Sequence, residues 1–211
     1  MARKPGVHST WQDTQEPPFF FFSLLLPALA SADGIAPLES HSLILAFGDS
    51  ITYGTGAPAG ESYPNRLQER LGVPVVNAGV PGEVSEEGIN RLSGLLVKHR
   101  PALVILCHGG NDLIRGLPHE KTSENLHEMA RAVKGTAADL VIVGVPEPGL
   151  RMAVPSFYEE IAHATGSLYE GTSLRRILLD PSLKSDPIHP NAAGYERLAE
   201  DLATLIENAQ W

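Results

Sequence analysis

A single cysteine, Cys107, excludes an intramolecular disulfide in this 211-residue chain, and no Cys-x-x-Cys or Cys/His cluster stands at the spacing of a structural zinc site. The fold must therefore rest on packing alone. No apolar run reaches the ~20 residues that a membrane-spanning helix needs, so no stable membrane anchor is expected. Positive charge is sparse. There are 16 Lys+Arg against 25 Asp+Glu, a net charge of -9, and no basic cluster beyond Arg175 and Arg176. A surface of that sign lacks the basic footprint needed to grip a phosphate backbone, which argues against nucleic acid as a partner. The phosphate-loop pattern Gly-x4-Gly-Lys-Ser/Thr is missing, and no Gly-x-Gly-x-x-Gly opens a helix after the first strand. No cofactor and no metal is called for, and nothing implies a protein partner.

What remains is an ordinary composition, 43% hydrophobic, on a chain long enough for one core. One segment stands apart. Residues 1–32 begin with Arg3 and Lys4, continue into the apolar block FFFFSLLL at 19–26, and end in the small-x-small triplet Ala30-Ser31-Ala32. That order is the grammar of a secretory signal peptide. The expected division is thus a leader at 1–32 and one catalytic domain at 33–211, in a periplasmic or secreted protein. Asp13 and Glu16 in the long stretch before the apolar block leave a misplaced start, and a cytoplasmic protein, as the alternative.

From residue 43 onward, short apolar runs alternate with longer helical patterns, as in a parallel sheet with crossover helices. Strands are expected at 43–47 (LILAF), 73–77 (VPVVN), 102–107 (ALVILC) and 140–145 (LVIVGV), with a weaker fifth near 166–169. None alternates, so each should be buried on both faces. Apolar residues at three and four spacings, such as Ile89, Leu92, Leu95 and Leu96, predict amphipathic helices at 63–71, 85–99 and 123–137. A last helix is expected from about 190 to 208, with Pro190 in its first turn.

In an open sheet of this kind, ligands meet the loops at the carboxyl ends of the strands. Those loops read Gly48-Asp49-Ser50, Ala78-Gly79-Val80-Pro81-Gly82 and Gly109-Gly110-Asn111-Asp112; Asp186-Pro187-Ile188-His189 precedes the last helix. A serine hydroxyl becomes a competent nucleophile when a base takes its proton, and histidine is the usual base. Asp186, three residues before His189 in a proline-stiffened segment, could hold the imidazole tautomer, leaving Ser50 to complete a triad. An oxyanion formed by attack on an acyl carbon needs preorganised donors. Three are available: the N–H of Ser50, the N–H of Gly82 and the side-chain amide of Asn111. The Gly-x-Ser-x-Gly elbow of alpha/beta-hydrolases is not satisfied by any serine here.

The combination resembles the SGNH (GDSL-type) hydrolases, whose four blocks appear in order: FGDSITYG at 47–54, NAGVPG at 77–82, GGND at 109–112 and DPIHPN at 186–191. Within that family the chain is most similar to the compact bacterial arylesterase, thioesterase I and lysophospholipase group, often periplasmic and acting on acyl esters and thioesters. The resemblance implies that Ser50 is the nucleophile, His189 the base, Asp186 its orienting acid, and Gly82 and Asn111 oxyanion donors. Asp49 and Asp112 would support the site. The second block departs from the pattern at Pro81 and Glu83, which bear on the shape of the loop around Gly82. With the element pattern, the implied fold class is α/β, a three-layer α/β/α sandwich on a mostly parallel, roughly five-stranded, flavodoxin-like sheet.

The expected activity is hydrolysis of a small acyl ester or thioester through an acyl-enzyme. Two alternatives stand beside it: a carbohydrate O-acetyl esterase of the same family, and a metal-dependent phosphoesterase using Asp49, Asp112, Asp186 and His189. His108, Tyr53 and Arg115 are candidates to touch substrate, while Cys107 reads as a buried core residue. His8, His41, His99, His119, His127 and His163 have no partner pattern and are expected at the surface or as caps. Segments 117–122 and 147–154, the latter within the proline-rich stretch 145–155, are expected to set substrate preference.

Overall fold

The computed structural model describes residues 1–2 and 34–210; the leader read at 1–32 lies outside the described residues but for its first two. Five strands form one sheet: β1 (Ile44–Gly48), β2 (Val75–Gly79), β3 (Leu103–Cys107), β4 (Asp139–Val143) and β5 (Leu168–Glu170). Their order is β2-β1-β3-β4-β5, and every pairing is parallel. This is the expected flavodoxin-like sheet, fully rather than mostly parallel.

Strands β1 and β3 are buried at all five positions, as unalternating Ile/Leu/Val runs require when helices cover both faces. Helices α3 (Ser85–His99), α5 (His119–Lys134) and α6 (Phe157–Thr165) pack together, as do α2 (Tyr63–Leu71), α7 (Ser173–Leu179) and α8 (Ala192–Ala209). The core between these layers includes Phe47, Leu67, Ile105, Leu126, Tyr195 and Leu202, all nearly or wholly inaccessible. Cys107 is buried and unpaired. Among the described residues, no helix is long and apolar enough to cross a membrane.

Several boundaries differ from expectation. The second strand starts at Val75 rather than 73, since Pro74 has no N–H to give the ladder and contributes only its carbonyl, which accepts from Ile44 N–H. The third long helix begins four residues early, at His119. Pro190 is not in the first turn of α8: Asn191 is the N-cap, its side chain accepting from Gly194 N–H, and Pro190 precedes it. Two very short helices, α1 (Ser50–Tyr53) and α4 (Gly110–Ile114), follow β1 and β3 directly. These turns, with the β2–α3 loop and the α7–α8 loop, bring the four sequence blocks to one edge of the sheet.

Candidate active site

Ser50 sits at the first position of α1, separated from the β1 strand by Asp49 alone. Asp49 is the N-cap, its carboxylate accepting the Ile51 N–H at 3.1 Å, so the cap that ends the strand also turns the serine side chain out of the core. Gly48 allows the close approach of β1 to β3, because a Cβ there would collide with the Cys107 carbonyl oxygen and the Thr52 hydroxyl. Asp49 is buried. Burial foremost raises its carboxyl above the ordinary value, with His108 and the Ile51 N–H acting the other way.

On the facing loop, Asp186 holds His189 with both oxygens. Oδ1 accepts the backbone N–H groups of Ile188 and His189, each at 2.9 Å; Oδ2 lies 2.8 Å from His189 Nδ1. Partial burial works to raise the Asp186 carboxyl, but the ring and backbone donors outweigh it and leave it below the ordinary value. An ionised carboxylate only accepts, so the ring proton belongs on Nδ1 and Nε2 is left as an acceptor. Ser50 Oγ donates to that nitrogen at 3.0 Å. The loop itself is braced, with Ser185 N–H donating to the His189 carbonyl and Asn191 N–H to that of Leu183.

Beside Ser50 N–H, the other two expected oxyanion donors lie on the β2–α3 loop and the first turn of α4. Gly82 has φ +83°, a left-handed backbone that favours glycine, and its carbonyl accepts from Arg115 at 2.8 Å. Asn111, the second residue of α4, donates one side-chain N–H to the Glu83 carbonyl at 3.0 Å. Among the described residues, neither Ser50 N–H nor Gly82 N–H donates to a protein acceptor. Beside Ser50 and His189 a pocket is lined by Ile51, Ile114, Val145, Pro146, Pro148, Met152, Leu178 and Ile188, with Asn111 at its polar side. Gly82 does not line it. The stretch 145–155 thus forms a wall, as expected; segment 117–122, which opens α5, contributes no residue to it.

Other candidates fall elsewhere. Asp112 takes the Ser85 N–H at 2.9 Å and the Ser85 hydroxyl at 2.5 Å, and so caps α3 from the first turn of α4. Tyr53 is exposed. His108 has no accessible surface and lies under the loops, so it cannot meet substrate. His119 has a partner that spacing did not reveal, Glu147 at 2.5 Å. Among the described residues no three His, Cys, Asp or Glu side chains gather as a metal site: of the four proposed for a divalent ion, Asp49 accepts from Ile51, Asp112 from Ser85, and Asp186 pairs with His189.

One group of functional interest was missed. Glu83, counted in the sequence as a departure, turns inward to Arg91, which donates from Nε at 2.8 Å and from a terminal nitrogen at 2.6 Å. Burial alone would raise the Glu83 carboxyl, yet the Arg91 and His108 hydrogen bonds hold it down at about 2. Arg91 also donates to the carbonyls of Ala78 and Gly48 and lies 4.2 Å above the Phe47 ring. The signal was available: Arg91 falls at the helical spacing of Gly88 and Leu95, at the half-buried edge of the α3 stripe, where a charge calls for a partner.

Known proteins resemble this chain in sequence and fold. The chain is 31% identical over 193 residues to Esterase TesA of Pseudomonas aeruginosa, covering 85% of this chain and 95% of the relative. It is 28% identical over 198 residues to Thioesterase 1/protease 1/lysophospholipase L1 of Escherichia coli K12, covering 90% and 91%. Among solved structures, a crystal structure of TesA superposes with a TM-score of 0.71 at 28% identity, over 80% of this chain and 99% of that one. The family model for GDSL-like lipases and acylhydrolases matches residues 46–197, a span that holds Ser50, Gly82, Asn111, Asp186 and His189. With the parallel sheet, the four blocks on one edge and these relatives in agreement, the chain belongs to the GDSL-like lipase/acylhydrolase family, the SGNH hydrolases.

Proposed function

We propose that this carboxylic ester hydrolase is a cofactor-free serine esterase acting on acyl esters and thioesters through a Ser50-His189-Asp186 triad and an acyl-enzyme. The observation that carries the reading is the continuous relay from Asp186 Oδ2 to His189 Nδ1 at 2.8 Å and from His189 Nε2 to Ser50 Oγ at 3.0 Å. Its parts come from opposite ends of the domain. In the first half-reaction Ser50 Oγ attacks the acyl carbon while its proton passes to His189 Nε2; the carbonyl pair moves onto oxygen, and the imidazolium then protonates the departing alcohol or thiol. Water repeats the sequence on the acyl-enzyme. Asp186 keeps the ring oriented and stabilises the imidazolium without taking its proton. The N–H groups of Ser50 and Gly82 and the free N–H of Asn111 are assigned to the oxyanion, each donor of this kind being worth roughly 3 to 4 kcal/mol.

The acyl group is assigned to the apolar pocket between Ile114, Met152, Leu178 and Ile188. The names of the relatives, an esterase and a thioesterase with lysophospholipase activity, support carboxylic and thioester substrates. Residues 1–32 are read as a leader, which puts the mature enzyme outside the cytoplasm; the mass of the chain recovered from a periplasmic extract tests that directly. Replacing Ser50 by alanine should abolish hydrolysis of p-nitrophenyl butyrate and acyl thioesters while the circular dichroism spectrum is kept. Full activity in that variant would sink the serine reading.

A further inference from the structure

Two of the three donors assigned to the oxyanion stand on neighbouring segments: Gly82 in the β2–α3 loop, and Asn111 in the first turn of α4, just after β3. One buried contact ties them together from below. His108, the first residue after β3, has no accessible surface and stacks on Phe47 with ring centroids 5.7 Å apart. Its Nδ1 accepts the Gly109 N–H at 2.8 Å, so the ring proton resides on Nε2. That N–H donates across to Glu83 Oε2 at 3.0 Å. Glu83 is thereby fixed at its carboxylate by Arg91 and His108, and at its main-chain carbonyl by the Asn111 amide. Because an amide group is planar, that last bond also sets the direction of the second Asn111 N–H.

We propose that His108 is a positioning residue for the hydrolytic reaction: it braces the Gly82 loop against the first turn of α4 through Glu83, and so fixes the separation and aim of two oxyanion donors. The inference rests on the serine-esterase reading above. It deepens that reading by naming a group that never touches substrate. Preorganised donors act on the charge that develops in the transition state and little on the ground-state ester. Loss of the brace therefore lowers kcat and leaves KM almost in place.

The two ring nitrogens can be tested apart. His108→Asn places an acceptor near Nδ1, for the Gly109 N–H, but nothing that reaches Glu83; His108→Gln places a donor near Nε2. The measurements are kcat and KM for p-nitrophenyl butyrate, and the Ki of an alkyl trifluoromethyl ketone, whose hemiketal with the serine carries an oxyanion. For His108→Asn we expect kcat to fall roughly 10- to 100-fold, KM to stay within about twofold of wild type, and Ki to weaken in step with kcat. His108→Gln should recover most of that loss. Val133→Ala, a core truncation on α5, lowers stability without touching the loops and should keep wild-type kcat. Equal loss in both His108 variants, an unchanged kcat in His108→Asn, or a loss confined to KM overturns the proposal. Should the His108 variants fail to fold, Glu83→Asp, which withdraws the carboxylate from the ring but keeps its charge beside Arg91, must show the same signature, and wild-type kcat in it is equally fatal. Ser50→Ala assayed alongside separates the two readings: hydrolysis persisting there fails the serine mechanism, whereas an inactive Ser50→Ala with an unaffected His108→Asn fails only the brace.

Discussion

Asp186 uses both carboxylate oxygens to hold one histidine, and this division of labour makes its removal informative. In Asp186→Asn the backbone N–H bonds to Ile188 and His189 have an acceptor still, but the amide no longer enforces the Nδ1–H tautomer. We expect kcat to fall by about 10³- to 10⁴-fold with little loss of stability, the pattern of a wrong tautomer in a triad; steady-state kinetics beside a thermal melt checks both halves. Glu83 answers a different question at the same scale. Its carboxyl is held at about 2 in the folded chain against an ordinary 4.5. A depressed folded pKa gives stability that is fully present above the unfolded value and is lost as pH falls through the folded one. The urea midpoint of the wild type should therefore decline between pH 4.5 and 2, and that decline should flatten in Glu83→Gln. An equally steep fall in the variant would move the acid sensitivity to other groups.

At the level of elements, the α7–α8 loop depends on the cap of α8. Asn191 accepts from Gly194 N–H at 3.0 Å and donates back to the Ser182 carbonyl at 2.9 Å, two residues after the base. Asn191→Ala should cost about 1 kcal/mol of stability, read from a denaturant midpoint, and lower kcat by roughly 10-fold or more by loosening His189. Most of the long elements were legible in the sequence because burial imposes a period, although α6 and α7, of nine and seven residues, were not expected. Helices 63–71 and 85–99 lie where apolar spacing put them, and each strand falls within two or three residues of its apolar run. Helices α1 and α4 span four and five residues, too short for any period to register. Pro190 shows how a correct rule can be misplaced: proline does mark the start of α8, but from outside the cap. The meeting of Glu83, Arg91 and His108 depends on side chains from two loops and a helix, so only the out-of-place charge on the α3 stripe hinted at it.

For the molecule as a whole, the parallel sheet delivers the serine and the histidine to one edge, and the loops around that edge are left to set preference. Met152 shows this best. It is nearly buried, lines the pocket beside Ser50 and holds a left-handed backbone at φ +43°, while its neighbour Leu150 is fully exposed. Met152→Ala should deepen the acyl pocket and raise kcat/KM for octanoyl over acetyl esters roughly 10-fold relative to wild type; an unchanged chain-length profile would place the acyl group elsewhere. Every such effect presupposes the serine as nucleophile. The most direct measurement is therefore stoichiometric labelling with a fluorophosphonate in excess EDTA, read by intact mass and peptide mapping. The expected result is one adduct per chain, on Ser50, with activity falling in proportion to label and none incorporated by Ser50→Ala. Label on another residue, or hydrolysis that survives full modification of Ser50, would contradict the mechanism.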